Sequence, residues 1–286
     1  MDSTQRRKRF REVLAGDKCV RPASVFDPIS ARIAEDLGFE AGLFAGSTAS
    51  LTVLGAPDHC VIDLTEFAQQ AHRICRASNL PLMVDADHGY GNSLNVRRTV
   101  QELETAGVAG LSIEDTDLPT PFGKAGTRSL IPMEEGVAKM KAALDGRQDS
   151  ELVIVARTSA VGLTTPEDAV LRVKSYAATG VDAVFLSDVT NRETLEAIAA
   201  EIDLPLMIGK APPEVRDTAY FESLGVRIDQ QGHKPILAGV RAIYEALKEF
   251  RDEEGAAGIK YFASATLVRQ LTRADEYDRQ MVENLS

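Results

Sequence analysis

Eight short apolar runs, each followed by a stretch of helical periodicity, constrain this chain more than any other feature. The runs are Ala23 to Phe26, Ala41 to Ala45, Leu82 to Val84, Gly110 to Ile113, Leu152 to Ala156, Ala183 to Leu186, Leu206 to Ile208 and Val226 to Ile228. Strands of a parallel sheet covered on both faces read as unbroken apolar runs, whereas the stretches between them place apolar residues three and four apart, as helices do. Those helical stretches are Pro28 to Leu37, Leu64 to Ala77, Leu94 to Ala106, Met133 to Leu144, Pro166 to Ala178, Arg192 to Ile202 and Pro213 to Leu224. A repeated phrase joins helix to strand in Asp36-Leu37-Gly38-Phe39, Thr105-Ala106-Gly107-Val108, Ala178-Thr179-Gly180-Val181 and Ser223-Leu224-Gly225-Val226, with glycine as the helix stop. Eight such units predict an α/β fold, the (β/α)8 TIM barrel. A doubly wound sheet would have fewer strands and a Gly-rich phosphate loop after the first, and no GxGxxG or Walker sequence is present.

One barrel domain over residues 1–286 is expected, with an additional C-terminal helical segment. After the eighth run come a long helix, Lys234 to Arg251, a small-residue break at Gly255-Ala256-Ala257-Gly258 and an amphipathic tail to Ser286. The barrel does not need this tail, so residues 252–286 are read as packing on a neighbouring subunit, with a solvated surface helix as the alternative.

With 44% hydrophobic residues among 286, the chain can bury one large core. A net charge of -11 argues against a nucleic-acid surface, which needs clustered cations. The basic run Arg6-Arg7-Lys8-Arg9 with Arg11 is short and reads as the solvated face of an amphipathic first helix. No apolar stretch is long enough to span a membrane, and the N-terminus lacks a signal-peptide core, so a cytoplasmic protein is expected. Cys19, Cys60 and Cys75 form no CxxC and are expected to be reduced.

Catalytic groups of a TIM barrel sit at the C-terminal ends of its strands. Those ends carry Asp27, Gly46-Ser47, Asp85 and Asp87, Glu114 and Asp115, Arg157, Ser187-Asp188, Lys210 and Gly232-His233. Carboxylates converging in a confined mouth repel one another unless a cation compensates, and hard oxygen donors without a His or Cys cluster suit Mg2+ or Mn2+. Asp85 is the best candidate for direct ligation, with Asp58, Asp87 and Glu114 acting through metal-bound water. Asp85-Ala86-Asp87 leads into His88-Gly89-Tyr90-Gly91, a glycine-bearing loop that lets backbone approach a ligand. Asp115, Asp117 and Asp188 read equally well as helix caps or surface ion pairs. Arg157 suits a substrate carboxylate or a structural ion pair, Ser47 with Gly46 suits an anion, and His233 faces the mouth or is structural.

Together, Ser24-Val25-Phe26-Asp27 with Ala31-Arg32, Gly46-Ser47, Asp85-Ala86-Asp87-His88-Gly89-Tyr90-Gly91, Ile113-Glu114-Asp115, Ala156-Arg157-Thr158 and Gly232-His233 resemble the isocitrate lyase/phosphoenolpyruvate mutase superfamily. The resemblance implies Mg2+, 2-oxo acid chemistry through an enolate, and a homotetramer, a dimer of dimers, with helices exchanged between subunits. Branches differ in the gate loop after the fourth strand, here Thr116-Asp117-Leu118-Pro119-Thr120-Pro121-Phe122-Gly123-Lys124. The lyase branch carries Lys-Lys-Cys-Gly-His there, its Cys a general acid, and this loop has neither Cys nor His. The phosphonate branch carries Lys and Asn, and only Lys124 is present. The remaining pattern, Ser47, Asp85, Arg157 and His233, is similar to the oxaloacetate decarboxylase branch. It implies that Ser47 and Gly46 bind the substrate's C1 carboxylate, Arg157 offsets oxyanion charge, and His233 sits near the leaving carboxylate or supplies a proton. Lys210 departs from that branch, where a Tyr can stand, and points to a different or more highly charged acid. Lyase action on a 2-methylisocitrate or dimethylmalate type of substrate, phosphonopyruvate chemistry, and a barrel that binds an organic acid without turnover are the alternatives.

Overall fold

A computed structural model describes residues 2–252, 255–259 and 261–285. They fall into two compact units, Met1–Gly232 and His233–Ser286. In the first unit, helix α1 (Ser3–Ala15) precedes β1 (Ala23–Ser24), α2 (Pro28–Asp36), β2 (Gly42–Phe44), α3 (Gly46–Ala49), a π-helical turn (Ser50–Leu54), α4 (Leu64–Ala77), β3 (Leu82–Asp85) and α5 (Ser93–Ala106). There follow β4 (Gly110–Glu114), α6 (Met133–Gly146), β5 (Val153–Thr158), α7 (Ala160–Leu163), α8 (Pro166–Ala177), β6 (Ala183–Ser187), α9 (Arg192–Ala199), β7 (Leu206–Gly209), α10 (Thr218–Ser223) and β8 (Val226–Gln230).

All neighbouring strands are parallel and stand in chain order from β1 to β8. The sheet curls until Val20, just ahead of β1, pairs with Ile228 of β8, its N–H donating to the Arg227 carbonyl at 2.9 Å and its carbonyl accepting from Asp229 N–H at 2.9 Å. The eight expected strands are all present, and the fold is the expected TIM-barrel type. Side chains alternate across each strand. Leu43, Met83, Val153, Val155, Ala183, Phe185, Met207 and Ile228 point inward and form one apolar cluster. Phe44, Val84, Leu111, Ile154 and Leu186 point outward beneath the helices.

Helix α1 plugs the interior from the N-terminal end of the strands. Its Phe10 and Leu14 belong to the inner cluster, with Phe10 fully buried, and burying such a ring stabilises by roughly 2–3 kcal/mol. Here the expectation of a solvated basic face fails. Arg6 and Arg7 are buried. Arg7 donates from Nε to the Val108 carbonyl at 3.1 Å, from Nη2 to the Glu104 carbonyl at 2.7 Å and from Nη1 to Asp149 Oδ2 at 2.6 Å. Arg11 reaches the carbonyls of Ser150, Glu151 and Leu152 and the Asp182 carboxylate. The loops entering the strands present orphan carbonyls at this face, and guanidinium groups are suited to satisfy several at once.

The expected helix from Pro213 begins only at Thr218. Residues 212–216 instead form turns on the Pro212 and Pro213 carbonyls, and Asp217 caps the shortened helix through Tyr220 N–H at 2.7 Å. The second unit holds α11 (Lys234–Asp252), a short 3-10 turn (Gly255–Gly258), α12 (Ala265–Thr272) and α13 (Ala274–Leu285). Of the expected tail, residues 253, 254, 260 and 286 lie outside the described residues. The exposed residues Leu237, Val240, Ile243, Tyr244, Leu247 and Phe250 form an apolar stripe on α11 at spacings of three and four. No helix among the described residues is long and apolar enough to cross a membrane.

Candidate active site

The alternation that fills the barrel also aims its strand ends. Two residues after inward Val155 comes Arg157, and two after inward Met83 comes Asp85. On β4 the inward parity runs through Gly110, which lies against Phe10, and Ser112 to Glu114. Parallel register then sets Glu114 beside Arg157 and Asp85 beside Ser112.

Arg157 Nη1 donates to Asp85 Oδ2 and lies 3.4 Å from Glu114 Oε1. Ser112 Oγ donates to Asp85 Oδ1 at 3.1 Å, and Thr116 Oγ1 donates to Glu114 Oε2. The guanidinium carbon sits 5.4 Å from the centroid of the Phe185 ring, an arrangement that favours the cation. Arg157 Nε is buried and has no hydrogen-bond partner among the described residues. Ser112, Thr116 and Phe185 carried no signal as isolated residues; strand parity is what would have found Ser112 and Phe185.

Asp87 follows in a left-handed conformation, φ 47°, which turns its buried carboxylate against Gly46. A Cβ on Gly46 would lie 2.6 Å from Asp87 Oδ2, so only glycine fits there. Ser47 is half-buried on α3, and its hydroxyl makes no hydrogen bond to the described residues.

Charge in this mouth is unbalanced. Burial first, then Asp85 and Glu114, pushes the Asp87 carboxyl well above the ordinary carboxylate range. Burial raises Glu114 too, against the pull of Arg157. Asp58 belongs to an exposed residue of the β2–α4 loop, yet partial desolvation and then Asp85 raise it, with Arg157 and Lys210 opposing. Burial disfavours charge on Arg157, but Asp85, Glu114 and Asp87 outweigh it and raise its pKa. Among the described residues no three His, Cys, Asp or Glu side chains gather as a ligand set around one point. The donors are nevertheless all hard oxygens, and burial and mutual repulsion disfavour the charged form of three of the carboxyls even with Arg157 beside them, so a cation among them would be welcome; the site fits a divalent cation rather than a soft metal.

At the rim, Lys210 (φ 55°) holds Nζ 3.7 Å from Asp188 Oδ1, and Arg128, on the gate loop as it runs on past Lys124 toward α6, donates to Asp188 Oδ2. Lys124 pairs with Asp117 within the loop at 3.2 Å. Asp117 and Asp188 thus make ion pairs, as the alternative reading of the sequence allowed. The barrel therefore brings together Asp85, Asp87, Glu114, Arg157 and Gly46, with Asp58 and Lys210 in electrostatic reach. His233 is the first residue of the second unit.

A parallel barrel with polar and charged side chains gathered at its strand ends is the architecture of the TIM-barrel enzymes, and the chain belongs to the phosphoenolpyruvate phosphomutase family, which it matches over residues 10–251. It is 55% identical over 269 residues to a Rhodopseudomonas palustris (strain BisB18) protein named oxaloacetate decarboxylase, covering 94% of this chain and 93% of that one. A Bradyrhizobium sp. (strain ORS 278) protein of the same name is 51% identical over 276 residues, 96% of each chain. Among solved structures, oxaloacetate acetylhydrolase in complex with 3,3-difluorooxalacetate superposes with a TM-score of 0.85 at 26% identity, covering 99% of this chain and 98% of that one. The phosphoenolpyruvate phosphomutase of Streptomyces platensis subsp. rosaceus, at 24% identity and 98% and 99% coverage, shares the fold with a TM-score of 0.87.

Proposed function

We propose that this chain decarboxylates oxaloacetate to pyruvate and CO2 at the barrel mouth, with Asp85 the direct ligand of a divalent cation and Asp58, Asp87 and Glu114 acting through water. The observation that carries the reading is Arg157: one nitrogen is spent on Asp85 and Glu114, while its buried Nε is left without a partner among the described residues. A guanidinium so held is a pre-aligned donor for an oxyanion. The names of the relatives supply the substrate.

A bound Mg2+ or Mn2+ supplies Lewis-acid polarisation of the 2-oxo group. Arg157 offsets the charge gathering on the C2 oxygen as the C3–C4 bond breaks and its electron pair moves into the C2–C3 bond. The Ser47 hydroxyl and the Gly46–Ser47 backbone hold the C1 carboxylate, and Lys210 attracts the distal one. His233 protonates C3 or attends the leaving carboxylate. Decarboxylation needs an electron sink and no general acid in the gate loop, and both cations of that loop, Lys124 and Arg128, are engaged in ion pairs. This favours loss of CO2 over aldol-type cleavage.

The exposed apolar stripe of α11 supports a homotetramer in which the C-terminal helices cover one another across subunits, and the three free cysteines support a cytoplasmic setting. The direct test mixes purified protein, oxaloacetate and Mg2+ with a pyruvate-coupled readout. Release above the rate given by Mg2+ alone is expected, and release equal to that rate overturns the proposal.

A further inference from the structure

Behind the mouth, on the helix side of the sheet, lies a buried polar cluster that the reaction does not use. Asp115 follows Glu114 and is fully buried. Its Oδ2 accepts hydrogen bonds from Tyr176 Oη at 2.7 Å, Thr158 Oγ1 at 2.9 Å and Arg172 Nη1 at 3.3 Å. Arg172 Nη1 also donates to the Ile131 carbonyl at 3.1 Å, and Ile131 N–H donates to the Asp115 carbonyl at 2.9 Å. The Asp115 N–H in turn donates to the carbonyl of Arg157 at 3.3 Å. Tyr176 reaches this point only because Gly136 on α6 has no side chain: a Cβ there would lie 2.4 Å from the phenol oxygen.

Three parts of the site meet at this cluster. Asp115 is the root where the chain leaves β4 for the gate loop, Ile131 is the root where it returns, and Thr158 follows Arg157 at the end of β5. We infer that Arg172, with Asp115 and Tyr176, is a positioning residue that clamps both roots of the gate loop and fixes the β4 and β5 ends carrying Glu114 and Arg157. Arg172 touches neither the mouth carboxylates nor Arg157 and acts through the backbone of its neighbours. A buried charge held by several hydrogen bonds resists displacement because each broken bond leaves a polar group unsatisfied. The part of this inference that concerns turnover rests on the decarboxylase reading; the part that concerns the loop does not.

The test uses the full chain with Arg172→Met and Asp115→Asn combined, which removes both charges together and leaves neither buried alone. Lys124 and Arg128, both exposed on the gate loop, report its freedom through trypsin. The expected result is a rise of about tenfold in initial cleavage at these two bonds, with other tryptic sites little changed. With oxaloacetate, kcat is expected to fall about tenfold while KM stays within about threefold, the pattern of groups misplaced in the transition state. Tyr176→Phe keeps the ion pair and is expected to show a smaller rise at the same bonds, which covers failure of the double variant to fold. Asp168→Asn, which removes only the outer bond of Arg172 Nε, should behave as wild type. Cleavage and kcat at wild-type levels in the folded variants, or cleavage rising evenly at all sites, overturns the inference. Because the cleavage arm needs no substrate, absence of decarboxylase activity would be a separate result.

Discussion

Gly46 shows how an absent side chain shapes this mouth. Alanine there would drive a methyl group into the Asp87 carboxylate, so Gly46→Ala is expected to weaken Mn2+ binding about 10- to 100-fold, the usual cost of disturbing groups behind a metal ligand. Calorimetric titration with Mn2+ checks this. Arg157→Lys keeps the charge but loses the planar fork, and kcat/KM is expected to drop about 100-fold or more, as when one oxyanion donor is lost. Asp87 carries a pH signature. Burial and its acidic neighbours keep its proton on to a higher pH than in the unfolded chain. Above the ordinary carboxylate range, near about pH 4, the native state therefore holds more protons than the unfolded one, and metal-free stability falls as pH rises through that window. Urea titrations across that range should show the slope in wild type and a shallower one in Asp87→Asn, since Glu114 and Asp58 are raised as well.

Elements were read more easily than their docking. All eight strands were legible because both faces of a parallel sheet are covered, and the polar residues ending the third, fourth and fifth apolar runs could be named as residues that meet at the strand ends. Asp85, Glu114 and Arg157 were found in this way. The contact of Asp87 with Gly46 was not, since it depends on a left-handed turn that an aspartate rarely takes. The first helix was expected but the burial of its arginines was not, because a run of arginines ordinarily faces water; here the loops entering the strands offer carbonyls that need donors. Arg7→Ala should cost about 3 kcal/mol in chemical denaturation, since it strands buried carbonyls and one carboxylate. Burial raises Asp149, but hydrogen bonds from Arg7, the Glu151 N–H and Thr4 outweigh it and hold the carboxyl down at about 2. Its stabilising contribution is fully present above the unfolded carboxylate pKa and is lost as pH falls from there through the folded value of about 2. The destabilisation caused by Asp149→Asn should accordingly be clear at neutral pH and fade in acid.

At the scale of the whole molecule, the apolar stripe on α11 sets a prediction about assembly. Ile243→Glu and Leu247→Glu together should lower the mass measured by light scattering from the proposed tetramer to a smaller species, because a charge on each apolar face opposes its burial. The pairing of Val20 with Ile228 has a different consequence, one of timing. The segment around Val20 precedes its partner in β8 by more than two hundred residues, and during synthesis it must wait for them. Through that interval Phe10 and Leu14 have no finished barrel to enter, so the nascent chain exposes two sticky apolar side chains whose protection, by chaperone or by transient local structure, falls outside the native fold.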